Sequence, residues 1–172
     1  PLPLRRAVVD ILSVSDESDV AGLIEEPKQS NSYGEHALKV CRLSLYIAKA
    51  AGLSEENIQD LGVAAMFHDI GYVAREGADP KNGEPGYPPP FERHGAAGAR
   101  IILKQRGFHQ AKIYRALSAL EHHRDYVYEA GKPALFARII RIAEDYSNMS
   151  DRRGGGFNPH EALARMAAGS GK

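Results

Sequence analysis

A chain of 172 residues, 43% hydrophobic and 26% charged, is long enough to bury one sizeable core and reads as one domain of ordinary size. Lys+Arg and Asp+Glu both number 22, so the zero net charge excludes a basic nucleic-acid stripe or a polybasic membrane patch. The single cysteine, Cys41, excludes an intramolecular disulfide, and neither a membrane-spanning apolar run nor a signal-peptide pattern occurs, so a cytoplasmic, reducing setting is expected.

The periodicity is helical almost throughout, with no convincing alternation of apolar and polar residues, and it predicts an all-α domain. Residues 1–33 are expected to be a helical and linker segment, with amphipathic pieces around Arg5–Leu12 and Asp19–Glu25, and the main domain is expected over 34–172. From Gly34 to Ala51 apolar residues recur at three- and four-residue steps, and His36 lies on the Val40-Leu43-Ile47 stripe. Cys41, mid-helix among apolar neighbours, reads as a small buried hydrophobe. The next helix opens with a Ser54 cap followed by Glu55 and Glu56, and its stripe Ile58-Leu61-Ala65 predicts helix through His68-Asp69 until Gly71 breaks it.

Residues 75–90 hold Pro85, Pro88, Pro89 and Pro90 and predict a long loop, either a lid or substrate loop or a disordered insertion. A helix carrying His94 follows, with Ile101, Ile102 and Leu103 expected in the core. Another runs from Gln110 through Ile113, Leu117 and Leu120 to His122-His123, and a further one spans Ala134 to Met149. Asn158-Pro159-His160-Glu161 combines a cap, a first-turn proline and an acid, and opens the last helix. The chain begins at Pro1 and stops soon after that helix, which suggests a piece of something longer.

Five histidines are arranged as His36, His68-Asp69, His94 and the pair His122-His123, with the carboxylates Glu144-Asp145 following. Each inward histidine alone is ordinarily a hydrogen-bonded core residue. Together, as costly polar groups on apolar faces, they are satisfied at once by metal ligation. Imidazole and carboxylate suit Zn, Mn, Fe and similar divalent ions. The set is too large for one ion and right for two sharing a bridging carboxylate. Ions roughly 3.5–4 Å apart recur in phosphate-ester hydrolysis, where they clamp the attacking and leaving oxygens. His109, at a turn, and His160, in a first helical turn, read as ordinary.

Phe67-His68-Asp69-Ile70-Gly71 resembles the signature of the HD-domain metal-dependent phosphohydrolase superfamily, and the resemblance runs from about Tyr33 to the end. The ordered array His36, His68-Asp69, His94, His122-His123, the stretch Ala137–Tyr146 and the stretch Asn158–Leu163 are similar to the bacterial HD-GYP branch. That branch hydrolyses cyclic di-GMP with two or three Fe or Mn ions. The resemblance implies a bundle of about six to eight helices around a dinuclear site and a small nucleotide substrate, a cyclic dinucleotide foremost. It also implies a longer signalling chain or a homo-oligomer. Three positions depart from the branch. After His123 the chain reads Arg124-Asp125-Tyr126-Val127 rather than leading to Gly-Tyr-Pro, although a literal Gly86-Tyr87-Pro88 precedes His94. Tyr72 replaces the lysine that follows the signature, and Ser32 stands where three-metal members carry glutamate, which favours two ions.

Comparison with the family, without gaps, puts its last acidic ligand on Glu144. At roughly 100° per residue Glu144 borders the Phe136-Ile140-Ala143 face, whereas Asp145 falls with Arg138 and Arg141 on the polar face, as the second choice. The resemblance further implies Asp69 as the bridge, with His36, His68 and Glu144 on one ion and His94, His122 and His123 on the other. His68 and Asp69 are then central to catalysis. Arg124, directly after the histidine pair, reads equally as a two-point phosphate grip or as a solvated surface arginine, with Lys132 as a further candidate substrate contact. Two alternatives stand beside a phosphodiesterase: a phosphohydrolase of another nucleotide, and a catalytically weak signalling or binding module on the same fold.

Overall fold

Among the described residues from Tyr33 onward, six α-helices and one 3-10 turn make up the regular structure and no strand occurs, so the chain is all-α. In this computed structural model the described residues are 6–10, 33–74, 91–107, 109–126, 131–150 and 156–169. The expectations for Asp19–Glu25, the 75–90 loop with its Gly-Tyr-Pro, and Ser32 lie outside them.

Helix α1 (Tyr33–Ala50) ends in a Schellman turn. Gly52, at φ +73°, donates its N–H to the Lys49 carbonyl at 3.0 Å, and Leu53 donates to that of Ala48 at 3.0 Å. Two residues later the Ser54 hydroxyl accepts the N–H of Asn57 at 3.4 Å and opens α2 (Glu55–Met66), so α1 and α2 form an antiparallel pair. Helix α2 ends earlier than the sequence predicts. Phe67 leaves helical geometry at φ −116°, ψ 10°, and His68-Asp69 sit in a turn that feeds a 3-10 helix over Ile70–Val73. Gly71 is inside that turn for a packing reason: a Cβ there would lie 1.8 Å from the carbonyl oxygen of His94.

Helices α3 (Phe91–Lys104) and α4 (Gln110–Glu121) form the second pair, and His109 caps α4 by accepting the N–H of Lys112 at 3.2 Å. Their contact is made of small residues. A Cβ on Gly95 would meet the Ala119 carbonyl oxygen at 2.8 Å, and one on Gly98 the Ala119 side chain at 3.3 Å. This corrects the expected apolar stripes: Leu103 and Leu120 are exposed, while Ala99, Ile102, Ala116 and Ala119 are buried between the helices. The bulky residues flank an interface too narrow to contain them.

Helix α5 (Leu135–Ser150) packs on α1 and α4, and α6 (Pro159–Gly169) packs on α5. Asn158 and Glu161 cap α6 reciprocally, through N–H to Oδ1 at 3.0 Å and N–H to Oε2 at 3.2 Å. Leu61, Val40, Ile140 and Cys41 centre the main core, which Val8 of the short helical segment 6–10 also enters. A buried Arg115–Asp60 ion pair at 3.5 Å ties α4 to α2. No helix among the described residues is long and apolar enough to cross a membrane.

Candidate metal centre

Each histidine of the array sits at or near a helix end, and three are fixed in the same way. His68, His94 and His122 direct Nδ1 at the carbonyl three residues back: Ala65 at 2.7 Å, Phe91, and Ala119 at 2.9 Å. A carbonyl only accepts, so each Nδ1 donates and each Nε2 is left with a lone pair in the neutral ring. All three Nε2 atoms converge on one carboxylate. His94 and His122 lie 3.2 and 3.5 Å from Asp69 Oδ1, and His68 lies 3.4 Å from Oδ2. His94 Nε2 and His122 Nε2 are 3.1 Å apart. The rings themselves are 0–1% exposed. Lone pairs facing lone pairs and a carboxylate in a dry pocket repel, unless a cation or protons lie among them.

Glu144, buried on α5, reaches toward His123 with Oε1 3.7 Å from Nε2. His36 on α1 brings its ring to 5.6 Å from that of His68. The donors form two groups, Asp69-His94-His122-His123 and His36-His68-Asp69-Glu144, in each of which one atom per residue lies within 4.8 Å of the others. Asp69 belongs to both. His68 Nε2, Asp69 Oδ1 and Glu144 Oε2 are buried and make no hydrogen bond of good geometry. Oriented lone pairs, unsatisfied buried atoms and an imidazole-carboxylate donor set together fit divalent ions.

The electrostatics agree. Burial alone would raise Asp69, but the contacts from His122, His68 and His94 hold it far below the carboxylate range. Burial pushes Glu144 up to about 7. His123 is pushed down to about 3 by burial and by its imidazole neighbours, and His122 is lowered for the same reasons. His68 and His94 rise despite burial because Asp69 favours their protonated forms. Asp69 thus favours positive charge at the nitrogens that face it, which is what a bound cation would supply.

Asp145, the second choice of acid, stands apart: it pairs with Arg141 at 2.7 Å on the partly exposed side of α5, one residue's rotation away from the donors. Arg124 donates to Glu121 Oε1 at 2.6 Å, and the other Glu121 oxygen accepts the N–H of Ala134, fixing the entry to α5. Lys132 and Arg138 lie over the Tyr126 ring, at 5.2 and 5.3 Å. His109 and the exposed His160 lie outside both groups. Sequence reading missed Phe91, whose ring is 4.6 Å from that of His123, although its i, i+3 spacing to His94 places both on one helix face. It placed Arg141 beside Asp145, as observed, but did not foresee that the same charge, one turn before Glu144, favours the ionised form of that acid.

A helical bundle with such a shared donor set defines a metal-dependent hydrolase of the HD class. The HD domain family model matches residues 33–149, and the chain belongs to that family. It is also similar to cyclic di-GMP phosphodiesterase PA4108 of Pseudomonas aeruginosa, with 29% identity over 151 residues covering 79% of this chain. The match covers 35% of that relative, so this chain spans about a third of its length.

Proposed function

We propose that this domain is a phosphodiesterase of the HD-GYP type with an altered Gly-Tyr-Pro segment, cleaving cyclic di-GMP or a related nucleotide. One observation carries the reading: Asp69 is common to two donor groups, as a carboxylate bridging two ions must be. His36, His68 and Glu144 would hold one ion and His94, His122 and His123 the other, with Fe or Mn as the metals. Bound there, two divalent ions supply Lewis acidity and a water of lowered pKa beside the phosphate. The residues contribute orientation. Three backbone carbonyls hold the imidazoles with Nε2 inward before any ligand arrives. Arg124, carried by Glu121 beside the histidine pair, grips a phosphate oxygen, and Lys132 adds charge at the same edge. The domain extends over 34–172 with 1–33 as its preceding segment, and works in the cytoplasm as part of a longer signalling chain or as a homo-oligomer.

Another nucleotide substrate is favoured by one observation. Tyr72 stacks on His94 at 4.3 Å and 9°, so an uncharged ring lies where the branch's lysine would meet phosphate. The test is elemental analysis of anaerobically purified protein followed by hydrolysis of cyclic di-GMP with Fe or Mn, beside a His68→Ala, Asp69→Ala control. Two ions per chain and turnover absent from the control are expected. Two ions without turnover redirect the substrate to another phosphoester, and failure to bind metal overturns the enzymatic reading.

A further inference from the structure

Phe91 is 58% exposed, although its ring lies against two of the metal donors, with centroids 5.4 Å from His94 and 4.6 Å from His123. As the first residue of α3 it sits one helical turn before His94, so the helix sets its ring beside the donor face. His94 is in contact with two aromatic side chains from outside the donor set. Tyr72 stacks on it, Tyr33 stacks on Tyr72 at 5.4 Å and 26°, and Phe91 tilts against it at 47°. Tyr72 is half-covered by this stack, whereas Phe91 touches the histidines and still turns most of its surface to solvent.

A hydrolase of simple phosphate esters needs donors and charge at its mouth, and an exposed apolar ring adds nothing to that chemistry. A nucleotide, however, presents a flat heterocycle one sugar away from its phosphate. Aromatic side chains receive such bases by stacking, whatever the base, because each has a π-face. We propose that Phe91 is the stacking platform for a nucleobase of the substrate and so a specificity-determining residue of this site. The proposal rests on the phosphodiesterase reading above and narrows it: recognition is of a base as such. Phe91 carries no hydrogen-bonding atom in its side chain, so it separates nucleotides from base-free sugar phosphates and does not separate one purine from another.

The test is calorimetric binding of guanosine 5′-monophosphate, adenosine 5′-monophosphate and ribose 5-phosphate to the Mn-loaded chain, after its metal content is established. Both nucleotides should bind more tightly than ribose 5-phosphate by roughly tenfold or more, the range of one stacked base. Phe91→Leu should erase most of that preference and leave ribose 5-phosphate within about twofold, which a purely structural ring would not do. Phe91→Trp should restore the preference. Because the chain has no tryptophan, the introduced indole is also a clean reporter. Its fluorescence should fall when either nucleotide binds and not with ribose 5-phosphate. A nucleotide preference that survives Phe91→Leu, or no preference in the parent, overturns the proposal. A Mn-loaded chain that binds none of the three overturns the phosphodiesterase reading itself, a distinct result because it precedes any comparison of variants.

Discussion

At Glu144 the buried carboxyl holds its proton up to about pH 7, and metal must displace that proton to bind. His68 and His94, raised by Asp69, compete with a cation in the same direction. Affinity for Mn should therefore rise with pH up to and beyond about 7, with net proton release below it, measurable by calorimetry in buffers of different ionisation enthalpy. The sign for stability is the reverse. In the metal-free fold Glu144 is most stable protonated, so its contribution is present below its ordinary value of 4.5 and is lost as pH rises through about 7. Gly71 tests the geometry at the same scale. A methyl group there collides with the His94 backbone, so Gly71→Ala should weaken metal binding by roughly ten- to a hundredfold, the usual effect of disturbing the groups that orient ligands. Unchanged metal affinity with native helix content would remove Gly71 from that role.

Between elements, the site depends on α2 and α4 keeping their distance, because one ends just before His68-Asp69 and the other just before His122-His123. The Asp60–Arg115 pair pins these helices with both side chains only 9% exposed. Asp60→Ala removes the carboxylate that faces a buried guanidinium and should cost about 3–5 kcal/mol in urea unfolding. Replacing both residues by leucine should cost much less. The starts of α2 and α6 were readable from residue types alone, since Ser54 and Asn158-Pro159 each solve a local hydrogen-bonding problem. The turn after Met66 was not readable. Nothing in Phe67-His68 stops a helix locally; the chain turns there because it must bring Gly71 against α3. Nor was the inward face of α4 legible, for hydropathy pointed to Leu117 and Leu120 while close approach selected Ala116 and Ala119.

Over the whole molecule, the donor set was legible because its members recur in order along the chain. The aromatic neighbours were less so: Phe91 carried a signal in its i, i+3 spacing to His94, whereas Tyr33 and Tyr72 lie on separate elements that only the folded bundle stacks. Cys41, fully buried and with its thiol pushed up to about 12 by burial, reports on that bundle. Alkylation at neutral pH should be negligible in the folded state and should track global opening. Mn at about a hundredfold above its Kd should stabilise the fold by about 2.7 kcal/mol, slow that alkylation and raise Tm by roughly 5–10 °C. Alkylation as fast as in denaturant would show that α1 opens independently.

The three carbonyl-locked imidazoles have a price in the absence of ligand. Folding crowds three imidazole nitrogens around one carboxylate in a dry interior, where only protons attracted by Asp69 offset the repulsion among the rings until a cation arrives, so the bundle is locally frustrated. Relieving the conflict with a leucine at His122 should abolish metal uptake and leave the metal-free fold as stable or more so, judged by melting in chelator. Decay of the chemistry is then downhill in free energy, and a descendant that loses it keeps a sound scaffold free for other uses.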